Sequence, residues 1–169
     1  CKKGRLVNIR LSELRFLPNS PALFNLGLNN NCTSSACFFF SVGDYMLSHE
    51  GKIREDSIGR TREKAIGVAK AGGGVGYNFS KLRPRGSHVN SIHRVACGPV
   101  AVLRDSNAIQ RLTTQGGKRE LAQMGILNCD HDDIQEFIHC KDQDPQSLAS
   151  FNISVGWKNS WMSEVDFSW

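Results

Sequence analysis

The sequence predicts an α/β fold built on a parallel sheet, and three observations carry that prediction. Four short apolar runs read as strands: residues 36–42 (ACFFFSV), 75–80 (VGYNFS), 124–129 (MGILNC) and 151–155 (FNISV). Their apolar residues run on without strict alternation, the pattern of strands buried on both faces beneath helices. Stretches with one apolar face at helical spacing separate them, and strands alternating with helices define the α/β class.

Taken in order, residues 36–42 form the first strand, rich in Phe. Residues 53–70 follow as a helix, because Ile53, Ile58, Ala65, Ile66 and Ala69 fall close to one face and charges fill the other. A glycine loop then leads into the strand at 75–80. Residues 99–112 form the next helix, with Pro99 just after Gly98 as its start signal. Beyond the strand at 124–129, a helix is predicted over 131–141. Asp130 is its expected N-cap, Asp132 and Asp133 lie in its first turn, and Ile134, Phe137 and Ile138 share one side. Residues 151–155 are the last strand. With no repeat, low-complexity tract or linker, residues 1–169 read as a single unit.

Composition narrows the function classes. The 169 residues are 40% hydrophobic and 22% charged, ordinary for a globular domain, and the formal charge of +5 is scattered. The densest basic run, Lys81-Leu82-Arg83-Pro84-Arg85, lacks the interleaved aromatics of a single-strand-binding platform, so no nucleic-acid partner is expected. Nothing approaches the ~18 consecutive apolar residues of a bilayer span, so no membrane association is expected either. The first residues, CKKGRLVNIR, show neither an apolar core nor a cleavage site, and there is no initiator Met, which suggests an excerpt or a processed chain. The six cysteines (1, 32, 37, 97, 129 and 140) are spread over a chain too large to need disulfide staples, which points to a reducing, cytoplasmic setting. Cys129, His131, His139 and Cys140 match no common zinc spacing, so no metal site is predicted.

Two glycine clusters stand out, Gly72-Gly73-Gly74-Val75-Gly76 and Gln115-Gly116-Gly117-Lys118-Arg119. Neither is a dinucleotide fingerprint or a P-loop: the first runs from helix to strand rather than strand to helix, and the spacings differ. A tight turn needs one glycine, whereas several in a row allow a ligand to approach bare backbone N–H groups. Ligand contact is the favoured reading of the first cluster.

Read together, seven segments resemble the large catalytic chain of ribonucleotide reductases. They are LRFLPNSPALFN (14–25), SSACFFFSVGD (34–44), KAGGGVGYNFSKLRPRG (70–86), ACGPV (96–100), QGGKR (115–119), MGILNCDHDDIQEFIHCK (124–141) and FNISV (151–155). They stand in the family's order with family-like spacing, and the wording of the third and sixth is most similar to the adenosylcobalamin-dependent class. The resemblance implies a ten-stranded α/β barrel, of which this chain supplies much of the first parallel half. It implies replacement of a ribonucleotide 2′-hydroxyl by hydrogen through a protein thiyl radical. It implies adenosylcobalamin as cofactor, with most of its site outside this chain. It further implies a deoxynucleoside triphosphate effector, a thioredoxin-like reductant and a homodimeric parent enzyme.

Residue by residue, Cys37 matches the family's first redox cysteine, and a thiol can give up hydrogen and close a disulfide. Ser20 matches a phosphate contact, and Ala36, Gly73 and Gly74 match positions lining the substrate. Asp44, Arg83, Gln115 and Arg119 match the specificity site, where Arg suits a triphosphate and Asp suits a ribose hydroxyl or base edge. The chain departs from the family pattern at Glu120 and Leu121, where a basic residue and a glycine are usual, at Ala22, at Cys97, and at the extra thiol Cys32. The family's Asn-x-Cys-x-Glu radical motif does not occur in the 169 residues. A stand-alone nucleotide-binding or regulatory module, or an inactive fragment, is the rival expectation.

Overall fold

In the computed structural model the described residues are 12–13, 15–28, 32–47, 54–89, 94–113, 121–142, 148–149 and 151–157. Along the chain they form α1 (Ser20–Asn25), β1 (Cys37–Ser41), α2 (Ile58–Lys70), β2 (Gly74–Asn78), β3 (His88–Val89), β4 (Arg94–Val95), α3 (Gly98–Thr113), β5 (Gln123–Asn128), α4 (Ile134–Ile138) and β6 (Phe151–Gly156). The strands β1, β2, β5 and β6 make one parallel sheet in that order, while β3 and β4 pair as a small antiparallel hairpin. The parallel α/β architecture is the predicted one, and each predicted strand lies within a residue or two of its observed place.

Burial differs from expectation in a way that defines the molecule. Along β5, Gln123, Gly125 and Leu127 are buried, whereas Met124, Ile126 and Asn128 are only half-covered, and β2 alternates likewise. Among the described residues the helices therefore cover one face of the sheet and leave the other open, not both faces as the continuous apolar runs predict. The covered face holds the core. Val75 and Tyr77 of β2, Leu127 of β5 and Phe151 of β6 pack with Ala65 of α2, Leu103 and Ile109 of α3 and Phe137 of α4. Burying each large apolar side chain contributes about 1.5–3 kcal/mol. Gly125 is what lets this layer close, since a Cβ there would lie 3.1–3.2 Å from Phe79, Leu103 and Phe151.

Helix α2 starts at Ile58 rather than 53, and Ile53 itself lies outside the described residues. Ser57 is its N-cap, accepting from the Arg60 N–H at 3.3 Å, and the N–H groups of Ile58 and Gly59 donate to the carbonyls of Tyr45 and Met46. The segment after β1 thus supplies partners for the first turn of α2. Helix α3 spans the predicted stretch, opening on Gly98 at φ +77°. The predicted helix over 131–141 shrinks to the five residues of α4, and the N-cap position falls on Asp133 instead of Asp130. The cause is tertiary: residues 128–133 make a turn whose side chains bond to a distant segment. Helix α1 has no counterpart among the predicted elements; Asn19 caps it by accepting from Ala22 N–H at 3.0 Å, with Pro21 in the first turn.

Candidate active site

The predicted site residues fall into two groups at opposite ends of the same strands. Ala36, Cys37, Gly73 and Gly74 meet where β1 and β2 begin. Cys37 pairs in register with Gly74, and Gly74 N–H donates to the Ala36 carbonyl at 2.8 Å. Cys37 and Gly74 both lie on the open face. A Cβ on Gly74 would stand 3.7 Å from Cys37 Sγ and 3.2 Å from the Ala122 carbonyl, so glycine leaves bare backbone beside an exposed thiol. Gly73 has a different role. It is buried, and a Cβ there would lie 2.8 Å from Val68 and 3.0 Å from Phe38, so glycine is required by the packing of α2 on β1. Gly72, at φ +82° with open space around it, makes the turn itself. The consecutive glycines are therefore divided between a turn, a packing contact and a bare floor.

Ser20 is the exposed first residue of α1. Helix α1 is tied toward this end of the sheet: Asn25 Nδ2 donates to the Thr33 carbonyl at 2.8 Å, and Thr33 N–H donates to the Ala71 carbonyl at 3.0 Å. No disulfide joins Cys32 and Cys37.

At the other end of β1, Asp44 forms an ion pair with Arg83, whose Nη1 also donates to the His88 carbonyl at 3.2 Å. Two predicted effector residues 39 positions apart are thus in contact. Cys37 and Asp44 stand seven positions apart, a reach of at most roughly 25 Å of chain. Gln115 and Arg119 lie outside the described residues. Leu121, one of the departures from the family pattern, is buried in the core where the chain enters β5, so its apolar side chain has a packing role.

Sequence reasoning missed the residues that bond to the backbone on either side of Arg83. His131 Nε2 bonds to the Leu82 carbonyl at 2.8 Å, and Asp133 Oδ2 accepts from Arg85 N–H at 2.7 Å. Their only signal is the run Asp130-His131-Asp132-Asp133 after a strand, which reads equally well as a helix start. Also unforeseen is the buried hydrogen bond from the Tyr77 hydroxyl to Gln123 Oε1, at 3.1 Å, with Tyr77 stacked on Phe79 and Phe151.

Among the described residues, then, the fold is a parallel α/β sheet covered by helices on one face, with an exposed thiol at the start of an edge strand. The chain belongs to the ribonucleotide reductase barrel-domain family, whose model matches residues 35–167. It is 41% identical over 156 residues to the vitamin B12-dependent ribonucleoside-diphosphate reductase of Thermoplasma acidophilum, covering 92% of this chain and 19% of that protein. It is 36% identical over the same length to the protein of that name from Mycobacterium tuberculosis strain CDC 1551, covering 92% of this chain and 21% of the relative. The chain thus spans about a fifth of the length of these relatives. Identity to the ribonucleoside-diphosphate reductase subunit alpha of Bacillus subtilis is lower, 27% over 140 residues. The solved structure of the Actinobacillus ureae class Id ribonucleotide reductase alpha subunit shares the fold. Its TM-score is 0.65 at 21% identity, covering 86% of this chain and 24% of that one. Among the described residues no helix is long and apolar enough to cross a membrane.

Proposed function

We propose that this chain is the part of a vitamin B12-dependent ribonucleotide reductase that supplies the first redox cysteine, part of the substrate floor and part of the effector site. The observation that carries this reading is the placement of Cys37, an exposed free thiol on the open sheet face beside the bare backbone of Gly74. A ribonucleotide laid on that face meets no side chain at Gly74, and its sugar can approach the sulfur, while the Phe39 ring lies beside Gly76. In the net reaction the ribonucleotide C2′–O bond breaks and a C2′–H bond forms. Cys37 and a second cysteine give up two electrons and two protons, becoming a disulfide, and the hydroxyl leaves as water. The thiyl radical that borrows the 3′-hydrogen belongs to a motif absent from these residues.

The relatives are named as vitamin B12-dependent, and adenosylcobalamin is the proposed cofactor of the parent enzyme, with most of its site assigned to parts outside this chain. Asp44 and Arg83 are proposed to take the effector, a deoxynucleoside triphosphate, at the strand ends away from Cys37, and a cytoplasmic homodimer served by a thioredoxin-like reductant is the proposed setting.

The test is Cys37→Ser in the full-length parent enzyme. Hydroxyl and thiol are similar in size, so ribonucleotide binding is expected to be retained, while multiple turnover with an external dithiol is lost because no disulfide can form. Normal steady-state turnover of the variant overturns the redox assignment.

A further inference from the structure

We propose that His131 and Asp133 form a clamp on the backbone around Arg83 and act as positioning residues for recognition of the effector triphosphate; this rests on the reading of Asp44 and Arg83 as effector residues. After β5 the chain turns sharply, with His131 N–H bonded to the Asn128 carbonyl and Ile134 N–H to the His131 carbonyl. Within that turn Asp133 N–H donates to His131 Nδ1 at 3.1 Å. The imidazole proton is thereby placed on Nε2, which donates to the Leu82 carbonyl. The ring thus links the turn to the residue just before Arg83.

Asp133 holds the other side. It stands at the N-cap position of α4, where an aspartate ordinarily accepts from its own helix, yet it makes no such bond. Its carboxylate instead accepts from Arg85 N–H, a short charge-assisted contact. One turn along α4, Glu136 pairs with the Arg85 guanidinium at 3.1 Å. The backbone is therefore fixed at residues 82 and 85, and between them Pro84 restricts φ and carries no N–H. Gly98 closes over the contact. A Cβ there would lie 2.8 Å from both Asp133 Oδ2 and Arg85 Cβ, and its φ of +77° favours glycine. Three segments distant in sequence, 81–86, 96–100 and 130–136, thus converge on one junction.

A guanidinium on a flexible loop loses conformational freedom when it binds phosphate, and a backbone already fixed reduces that loss. Arg83, half-buried and bridging Asp44 and the His88 carbonyl, is held in this way. Neither His131 nor Asp133 needs to touch the nucleotide.

The experiment is a titration of the full-length enzyme with dTTP, reading effector binding directly and ribonucleotide KM at saturating dTTP. Asp133→Ala is expected to weaken dTTP binding about tenfold while KM moves less than about twofold, the scale of one lost charge-assisted hydrogen bond. Asp133→Asn, whose amide oxygen can still accept from Arg85 N–H, is expected to recover most of the loss. Should Asp133→Ala fail to fold, His131→Phe, which keeps ring volume without the two hydrogen bonds, carries the same expectation. Wild-type dTTP affinity in the folded variants, with Arg83→Ala impaired, overturns the clamp and leaves the effector reading intact. Wild-type affinity in Arg83→Ala as well overturns the effector reading itself.

Discussion

Tyr77 shows how a single side chain can tie two strands and set a pH limit. Its hydroxyl donates to Gln123 Oε1 inside the core, and burial pushes the phenol well above its ordinary range. The folded state thus favours the neutral form, and a group raised on folding contributes fully below its unfolded pKa. That contribution is lost as pH rises past about 10 toward the folded value, at roughly 1.4 kcal/mol per pH unit. Chemical denaturation at pH 8 and pH 11 is expected to show a steeper loss of stability in the native protein than in Tyr77→Phe. Equal slopes would remove Tyr77 as the cause. At neutral pH the same variant is expected to be less stable by about 1–3 kcal/mol, because it leaves the buried Gln123 carbonyl oxygen unpaired. Gln123 Nε2 already has no partner among the described residues. Cysteine chemistry divides at the same scale. Cys37 and Cys97 are exposed thiols, whereas burial raises the Cys140 thiol pKa and leaves it 5% accessible. Alkylation of the native protein at pH 8 is expected to label Cys37 and Cys97 first and Cys140 only on unfolding. Labelling of Cys140 at the rate of Cys97 would contradict its placement in the core.

At the scale of elements, caps and cross-links decide where helices begin and how they sit. Ser57→Ala removes the side-chain cap of α2 and is expected to cost about 1 kcal/mol in stability. A loss below a few tenths would mean that the carbonyls of Tyr45 and Met46 suffice for the first turn. Arg62 of α2 and Asp105 of α3 join the two helices through contacts of 3.0 and 3.1 Å from one guanidinium nitrogen to both carboxylate oxygens. Both side chains are over a third exposed, so a double-mutant cycle is expected to give only about 0.2–1 kcal/mol of coupling. Legibility differed sharply between elements. The strands and α3 could be read because apolar runs and the Gly98-Pro99 start are local signals. The start of α2 and the length of α4 could not, since distant partners decide both. Asp133 is the clearest case: as a local N-cap it would extend or initiate a helix, but its carboxylate bonds to Arg85, 48 residues away in sequence.

At the scale of the whole fold, the described residues make a sheet covered by helices on one side. Phe39, 59% exposed on the open face of β1, Met124 and Ile126 present apolar surface there, and β1 and β6 are the sheet's edge strands. Unpaired strand edges and apolar patches favour association. Residues 1–169 expressed alone are expected to associate with increasing concentration in sedimentation experiments, and Phe39→Ser to reduce it. Monomeric behaviour at high concentration in the unsubstituted chain would show that the open face is not adhesive. The same segment is expected to yield no deoxyribonucleotide from labelled ribonucleotide with adenosylcobalamin, dTTP and dithiol supplied, because it lacks the Asn-x-Cys-x-Glu motif; turnover above a Cys37→Ala control would contradict this. The sequence by itself determined the parallel α/β class, the place of Cys37 at the head of a strand and the family to which the chain belongs, because these depend on short-range patterns and motif wording. Only the tertiary structure decided that one sheet face stays open, that Gly73 serves packing while Gly74 bares the floor beside the thiol, and that Asp44 meets Arg83 under the hold of His131 and Asp133. Each of those outcomes depends on side chains tens of residues apart arriving within a few ångströms, and no local pattern encodes that encounter.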